Sequence, residues 1–429
     1  MEHSTIQLDN LPDEILMMIF KNMSQTNVLY SLIGVNQRLN TIVRDSMFTN
    51  HLTLREYISD DFINPSTDSM LDRFCSHILP NINDKIKRID LDSSSMERIL
   101  LATNYPSLYG LTLYNMDIEI SMHYATSETA LTNLFKNQIL SLNIHENLPN
   151  LKCFSLYGEN MTYYYDELIV PLLNRMINLE ELGLYLIVSI KNTFVDGNDL
   201  KKNIINKMSR LNKFHFNIRS TIDLHNQINL PSNEDIQYTF KDICDNHIIS
   251  CVNYFSETQQ GQCHIYSYPY TLNNYYKITN NFPGGLIKCV SKISLYDERP
   301  FEHEFFLRIA QSFPLVKDLT LVNMKPQNGK QTDDNQNLPI IEYPHLTTLD
   351  LTKSHLDYIE QFLLDTKTIL SSNVDLSVVY QALRKVTQKF KSNATRINCS
   401  KLSCLDIVGK YRIPKYVQEY FPHTEIFIC

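Results

Sequence analysis

Residues 8–48 read LDNLPDEILMMIFKNMSQTNVLYSLIGVNQRLNTIVRDSMF, and the spacing of apolar and capping residues here predicts three short helices. Asp9 or Asn10 can cap the first, with Pro12 in its first turn and Asp13 and Glu14 near the positive end of its dipole. Ile15, Met18, Ile19 and, one turn on, Asn22 or Met23 mark one face, and Leu11, Leu16 and Phe20 widen that stripe. Ser24 can cap a second helix carrying Val28, Leu29 and Leu32. Gly34 interrupts, and Asn36 can cap a third helix with Leu39, Ile42 and Val43 inward. A stretch this short cannot bury so much apolar surface by itself. The surplus implies a partner or a docked neighbouring domain.

Moving outward, the texture changes beyond residue 85 and repeats. IKRIDLD (86–92), LYGLTLYN (108–115), ILSLNIHE (139–146), LKCFSLYG (151–158), LEELGLYL (179–186), LNKFHFNI (211–218), VSKISLYD (290–297), VKDLTLVN (316–323) and LTTLDLTK (346–353) share the pattern apolar-x-x-apolar-x-apolar. Its alternating part predicts a strand. Helical text lies between, as in SMERILLATN (95–104), YDELIVPLLNRM (165–176, with a kink expected at Pro171) and FEHEFFLRIAQSF (301–313). Strand, helix, strand at this spacing predicts parallel strands with helical crossovers. Steps between equivalent residues, such as Leu91 to Leu113 and Leu184 to Phe216, run from 22 to 32. These match or slightly exceed the length of leucine-rich repeats, roughly 20–29 residues. The expected fold class is therefore an α/β repeat, a three-helix module followed by an irregular leucine-rich-repeat-like solenoid.

The rhythm breaks twice. Ile144 to Leu156 is too short for a helical crossover, which would leave one of those two strands outside the main sheet. Residues 219–289, aromatic and turn-rich, read as an irregular, partly β insertion, and 324–340 as a loop. The expected organisation is a helical module at 5–50, a helical linker at 51–85 and a repeat domain at 86–429.

At 429 residues, with 43% hydrophobic and 20% charged side chains, the chain is globular in composition. A formal charge of −8 works against a phosphate-tracking nucleic-acid binder. Nine scattered cysteines and an N-terminus without a basic, apolar leader predict reduced thiols in the cytosol or nucleus. The longest apolar stretch, LGLYLIVSI at 182–190, is half what a bilayer needs, so no membrane span is expected.

No phosphate-binding glycine loop, GxSxG or HExxH occurs, so no catalytic residue and no cofactor are expected. Cys244, His247, Cys251, Cys263 and His264 are of zinc-ligating type, but their spacing matches no structural zinc module. The basic stretches KKNIINKMSRLNK (201–213) and RKVTQKFK (384–391) read as solvated helix faces, with nucleic-acid contact the alternative. Tyr114, Tyr157, Tyr185 and Tyr296 each follow the last apolar residue of a strand motif, an outward position. Stacked strands would gather them into a substrate-binding surface, or simply into a stabilising aromatic ladder.

The stretch LDNLPDEILMMIF resembles the opening of an F-box, with Leu11, Pro12, Glu14, Ile15, Leu16, Ile19 and Phe20 on the pattern. SLIGVNQRLNTIVRDSMF is similar to the family's ending, with Leu32, Val35, Arg38 and Phe48 in register. Asn36 stands where cysteine is common, and Leu39 where an aromatic is common. The remainder resembles the leucine-rich-repeat class of F-box proteins, without a regular asparagine or cysteine ladder. The resemblance implies that Leu11, Pro12, Glu14, Ile15, Leu16, Ile19, Phe20, Leu32, Val35 and Leu39 dock on a Skp-type adaptor and through it on a cullin–RING scaffold. The repeat domain would hold a protein substrate of unknown identity, and the chain itself would not be catalytic. A non-degradative interaction scaffold and an enzyme with a site in 240–290 are the rival readings.

Overall fold

The computed structural model describes residues 11–54, 66–114, 150–190, 193–225, 230–241, 243, 247–328, 338–409 and 412–428. The chain divides into two compact units. The first is Met1–Asp223, Asn229–Ser250 and Gln262–Ser267, and the second is Leu224–Ile228, Cys251–Gly261 and Tyr268–Cys429.

Unit 1 opens with four helices, α1 (Asp13–Lys21), α2 (Gln25–Leu32), α3 (Gln37–Val43) and α4 (Ser46–Thr49). Pro12 sits at the cap position of α1 instead of inside its first turn, while Asp9 and Asn10 lie outside the described residues. Asn36 caps α3 as expected, its side chain accepting the Leu39 N–H at 2.7 Å. Gly34 makes the preceding turn at φ +87°, a backbone that favours glycine. Asp45 caps α4 through the Met47 N–H, a fourth helix that the periodicity did not reveal.

Strand β1 (His51–Leu54) follows at once, so the sheet begins before the repeat text does. It pairs in parallel with β2 (Arg88–Asp92), which is followed by β3 (Gly110–Tyr114), β4 (Cys153–Thr162), β5 (Glu181–Ser189) and β6 (Lys213–Asp223). The registers keep equivalent motif residues side by side. Ile89, Leu111, Phe154, Leu182 and Phe214 form one buried row, and Leu91, Leu113, Leu156, Leu184 and Phe216 the next. β4 pairs directly with β3, so the short step does not displace it; the 139–146 motif lies outside the described residues.

The entries of β2 to β6 repeat one device. A single carbonyl accepts two successive N–H groups of the next strand: Lys87 from Tyr109 and Gly110, Tyr109 from Lys152 and Cys153, Lys152 from Glu180 and Glu181. Two crossover helices carry a π-helical turn, Phe74–Ile78 and Tyr165–Ile169, each ending just before a proline-bearing turn, Leu79–Ile82 and Val170–Leu173. Pro80 and Pro171 lack the N–H and crowd the carbonyl four residues back. The widened turn accommodates the proline; at Pro171 a simple kink was expected.

The region expected to be an irregular insertion is largely built into sheets. A helix, Asn233–Tyr238, starts on a capping box between Ser232 and Asp235. β7 (Ile248–Phe255) and β8 (Gln260–Ser267), joined by a tight turn, extend the first sheet in the order β1-β2-β3-β4-β5-β6-β8-β7. In unit 2, β9 (Asn274–Ile278), β10 (Lys292–Tyr296), β11 (Asp318–Asn323), β13 (Thr348–Ser354), β15 (Val374–Val379), β16 (Leu402–Val408) and β17 (Glu425–Ile428) form a parallel sheet in chain order. β12 (Ile341–Tyr343) pairs in parallel with β14 (Thr368–Leu370). Ile293, Leu319, Leu349, Leu376 and Leu405 align across the larger sheet, all buried. The molecule is thus an N-terminal helical region followed by mixed α/β structure on mostly parallel sheets.

Candidate functional site

Successive residues on a helix are rotated by about 100°, so α1 carries two adjacent apolar stripes. Leu16 and Phe20 point inward and are 0% and 3% exposed. Val28, Leu29, Ile33, Leu39, Ile42, Val43 and Phe48 in the same helical region are buried as well. The other stripe, Ile15, Met18, Ile19 and Met23, faces solvent at 42%, 64%, 39% and 47% exposure. Val35, in the turn before α3, is exposed as well. The sequence pattern reads the two stripes as one widened apolar face; the structure separates them.

Interactions within unit 1 hold this surface in place. Arg38 on α3 donates to the Asp13 carboxylate at 2.7 Å and to the Leu11 carbonyl, which ties the entry of α1 to α3. Gln25 and Thr26 on α2 donate to the carbonyls of Phe48 and Thr53 at 2.6 and 3.1 Å, docking α2 on α4 and β1. Arg73 reaches the Ile33 carbonyl at 3.1 Å and lies over the Tyr30 ring. The apolar surplus is therefore covered on one side by the chain's own helices and left open along α1.

Of the residues the sequence nominated, Pro12, Glu14, Ile15, Ile19 and Val35 are exposed, and Leu11 and Leu32 are half-buried. Leu16, Phe20 and Leu39 are interior, so they support the surface without forming it. Met18 and Met23, which the periodicity sets on one face with Ile15 and Ile19, belong to the open stripe. Residues 8–51 match the F-box domain. The F-box match spans α1 to α4 and ends on the first residue of β1. No curated protein shows significant similarity to the chain.

A second feature lies on the outward face of the unit 1 sheet. Tyr157 stacks on Tyr185 with ring centroids 4.1 Å apart and planes within 2°, and on Tyr114 at 4.6 Å and 13°. The cause is register: Tyr157 pairs with Tyr185, and Leu113 with Leu156 one residue before Tyr114 and Tyr157. Gly183 makes room for the stack, since a Cβ there would come 2.7 Å from Ser155 Oγ and 3.1 Å from Tyr185 Cε2. Stacked pairs of this kind contribute about 0.5–1.5 kcal/mol each beyond their buried area. Burial, then the neighbouring Tyr185 and Tyr114, pushes the Tyr157 hydroxyl far above the usual phenol range.

Charged pairs lie elsewhere on these strands. His51 Nε2 pairs with the Asp90 carboxylate at 2.9 Å, and this hydrogen bond raises the His51 pKa. Lys213 is ion-paired with Glu181 at 2.5 Å, and Arg88 lies over the Tyr109 ring. Tyr296 does not join the three stacked tyrosines. It stands on β10 in unit 2, edge-on to Phe255 at 5.2 Å, because its motif belongs to the other sheet.

Two of the zinc-type side chains have structural occupations, while His247 is exposed. His264 Nε2 meets Asn217 Oδ1 at 2.9 Å, and the Cys251 thiol donates to the Asn281 carbonyl at 3.4 Å. Cys263 is buried, and Cys244 lies outside the described residues. Among the described residues no group of three His, Cys, Asp or Glu is placed to hold a metal ion, and no helix is long and apolar enough to cross a membrane.

Proposed function

We propose that this chain is the substrate-recognition subunit of a Skp–cullin–F-box ubiquitin ligase, working in the cytosol or nucleus. The open stripe Ile15, Met18, Ile19 and Met23, inside a segment that matches the F-box domain, carries the reading. A Skp-type adaptor covers that stripe together with Pro12, Leu32 and Val35, and links the chain to a cullin–RING scaffold. The parallel-sheet region after residue 86, read as a leucine-rich-repeat-like domain, holds a protein substrate. The tyrosine stack is its candidate contact surface: tyrosine offers a large, rigid, amphipathic area at low entropic cost. Catalysis by such an assembly is positioning. Holding the substrate raises the effective concentration of its lysines near the ubiquitin thioester, and this chain supplies no acid or base.

The test is affinity capture of the full chain from cells with proteolysis blocked. Recovery of adaptor, cullin and RING subunits supports the proposal. Recovery of adaptor without cullin favours a non-degradative scaffold, and absence of any Skp-type adaptor removes the reading.

A further inference from the structure

The chain is acidic overall, at −8, yet unit 2 concentrates cations between residues 384 and 396. Arg384, Lys385, Lys389, Lys391 and Arg396 lie here, and among the described residues none of them forms an ion pair. They border two cavities. The first, about 810 Å³, opens where β13 and β15 end and carries Arg384, Lys385 and Lys389 beside an apolar lining of Met324, Leu356, Val379 and Ala382. The second, about 510 Å³, carries Lys391, Arg396 and Tyr416, with Glu419 its one acidic residue. Arg384 and Lys389 line both, so the two cavities adjoin across a cationic divide, together forming the groove considered below. The first cavity by itself has the volume of a ligand pocket.

The segment that presents Lys389 is shaped for the purpose. Gln388, Lys389 and Phe390 all have left-handed backbones, at φ +50°, +63° and +63°. Three such non-glycine residues in a row persist only where the surroundings over-determine them. Phe390 is buried among Tyr380, Tyr416, Tyr420 and Phe421, with ring centroids 5.8–6.3 Å away. The Thr387 hydroxyl accepts the Phe390 N–H at 3.2 Å, and the Arg384 carbonyl accepts that of Lys389 at 2.7 Å. The loop between the two cavities is thus anchored at Phe390, while Lys389 beside it stays exposed.

We propose that this groove binds an extended acidic peptide segment of a partner protein, with an apolar side chain in the first cavity and carboxylates or phosphates against Arg384, Lys385 and Lys389. Unpaired cations supply the charge complementarity. A single-stranded nucleic acid fits less well. It needs successive aromatic faces for its bases, and here Phe390 and Tyr420 are buried against one another's neighbours, leaving Tyr416 alone exposed. The proposal rests on unit 2 and is independent of what residues 11–54 bind.

The test uses the full chain and a fluorescein-labelled peptide of alternating leucine and glutamate, read by polarisation. Parallel arms replace two glutamates by phosphoserine, replace all glutamates by lysine, or substitute an oligouridylate. Both acidic peptides are expected to bind, more weakly as salt rises, and the better of the two identifies the source of the charge. Lys385→Glu with Lys389→Glu, two exposed positions, is expected to weaken binding at least roughly tenfold. Arg384→Gln, which keeps the loop's own charges, is expected to weaken it several-fold with an unchanged melting temperature. Adaptor binding, measured on the same samples, stays as in the parent chain. Wild-type affinity in both folded variants, tighter binding of the oligouridylate, or no binding of either acidic peptide overturns the proposal.

Discussion

The two stripes of α1 make opposite demands, and Ile15→Asp with Ile19→Asp separates them. These isoleucines keep 42% and 39% of their surface open in the free chain. Full burial of such a side chain is worth about 1.5–3 kcal/mol, so covering the open part contributes roughly 1 kcal/mol each to adaptor binding. An aspartate in their place loses that and adds a desolvation cost of about 2 kcal/mol each. The pair should therefore weaken binding by about 6 kcal/mol, some four decades in Kd. Stability should hardly move, because exposed substitutions usually stay within about 0.5 kcal/mol. Leu16→Ala is the counterpart: at 0% exposure it should cost about 2–5 kcal/mol of folding stability. Its folded fraction should still bind the adaptor. The assay is calorimetric titration of the full chain with a purified Skp-type adaptor, beside thermal denaturation of each variant. Adaptor affinity within threefold of the parent in the folded double aspartate variant would refute the assignment of this stripe.

Three further outcomes follow from packing and burial. Gly183→Ala forces a Cβ against Ser155 Oγ and Tyr185 Cε2, so thermal denaturation should show a loss of about 1–3 kcal/mol; an unchanged melting temperature would mean the stack is loose. His264 is buried, and desolvation followed by the positive charge of Arg219 holds its pKa well below the imidazole range. The unfolded chain takes up that proton near the ordinary value of about 6.5 while the folded chain does not. Stability should therefore fall as pH drops below about 6.5, by up to roughly 1.4 kcal/mol per pH unit, and urea titrations of His264→Gln should show that slope removed. Asn398, fully buried, donates to the carbonyls of Phe362 and Thr368 at 3.1 and 2.7 Å and accepts the Leu370 N–H at 3.2 Å. Asn398→Ala should cost about 4 kcal/mol by stranding those groups, and a loss below 1 kcal/mol in urea unfolding would show that water replaces the amide.

Much of the sheet was legible because parallel strands buried on one face repeat their apolar spacing. Eight of the nine strand motifs lie in described residues, and each holds a parallel strand in one of the two larger sheets. Leu402, Leu405 and Ile407 show the same spacing in β16 and were readable by the same rule. β1 and β17 were not, since four-residue strands carry too little alternation. On α1, alternation could not say which stripe faces inward, because Ile15–Ile19 and Leu16–Phe20 are equally apolar and one residue apart. Only the packing of α2 and α3 decides it. The tyrosine positions were right in parity, but sequence offers no way to see that Tyr296 belongs to a different sheet. Nor could the basic stretch at 384–391 show that its charges border a groove, because that depends on the ends of β13 and β15.

The central claim is that the N-terminal helices are an adaptor-binding surface. Mixing the purified full chain with a purified Skp-type adaptor and weighing the product by native mass spectrometry tests it most directly. A complex of one copy of each, lost in the Ile15→Asp, Ile19→Asp chain, is the expected result. Free components from a folded wild-type chain, at concentrations where other F-box segments form such complexes, would contradict it.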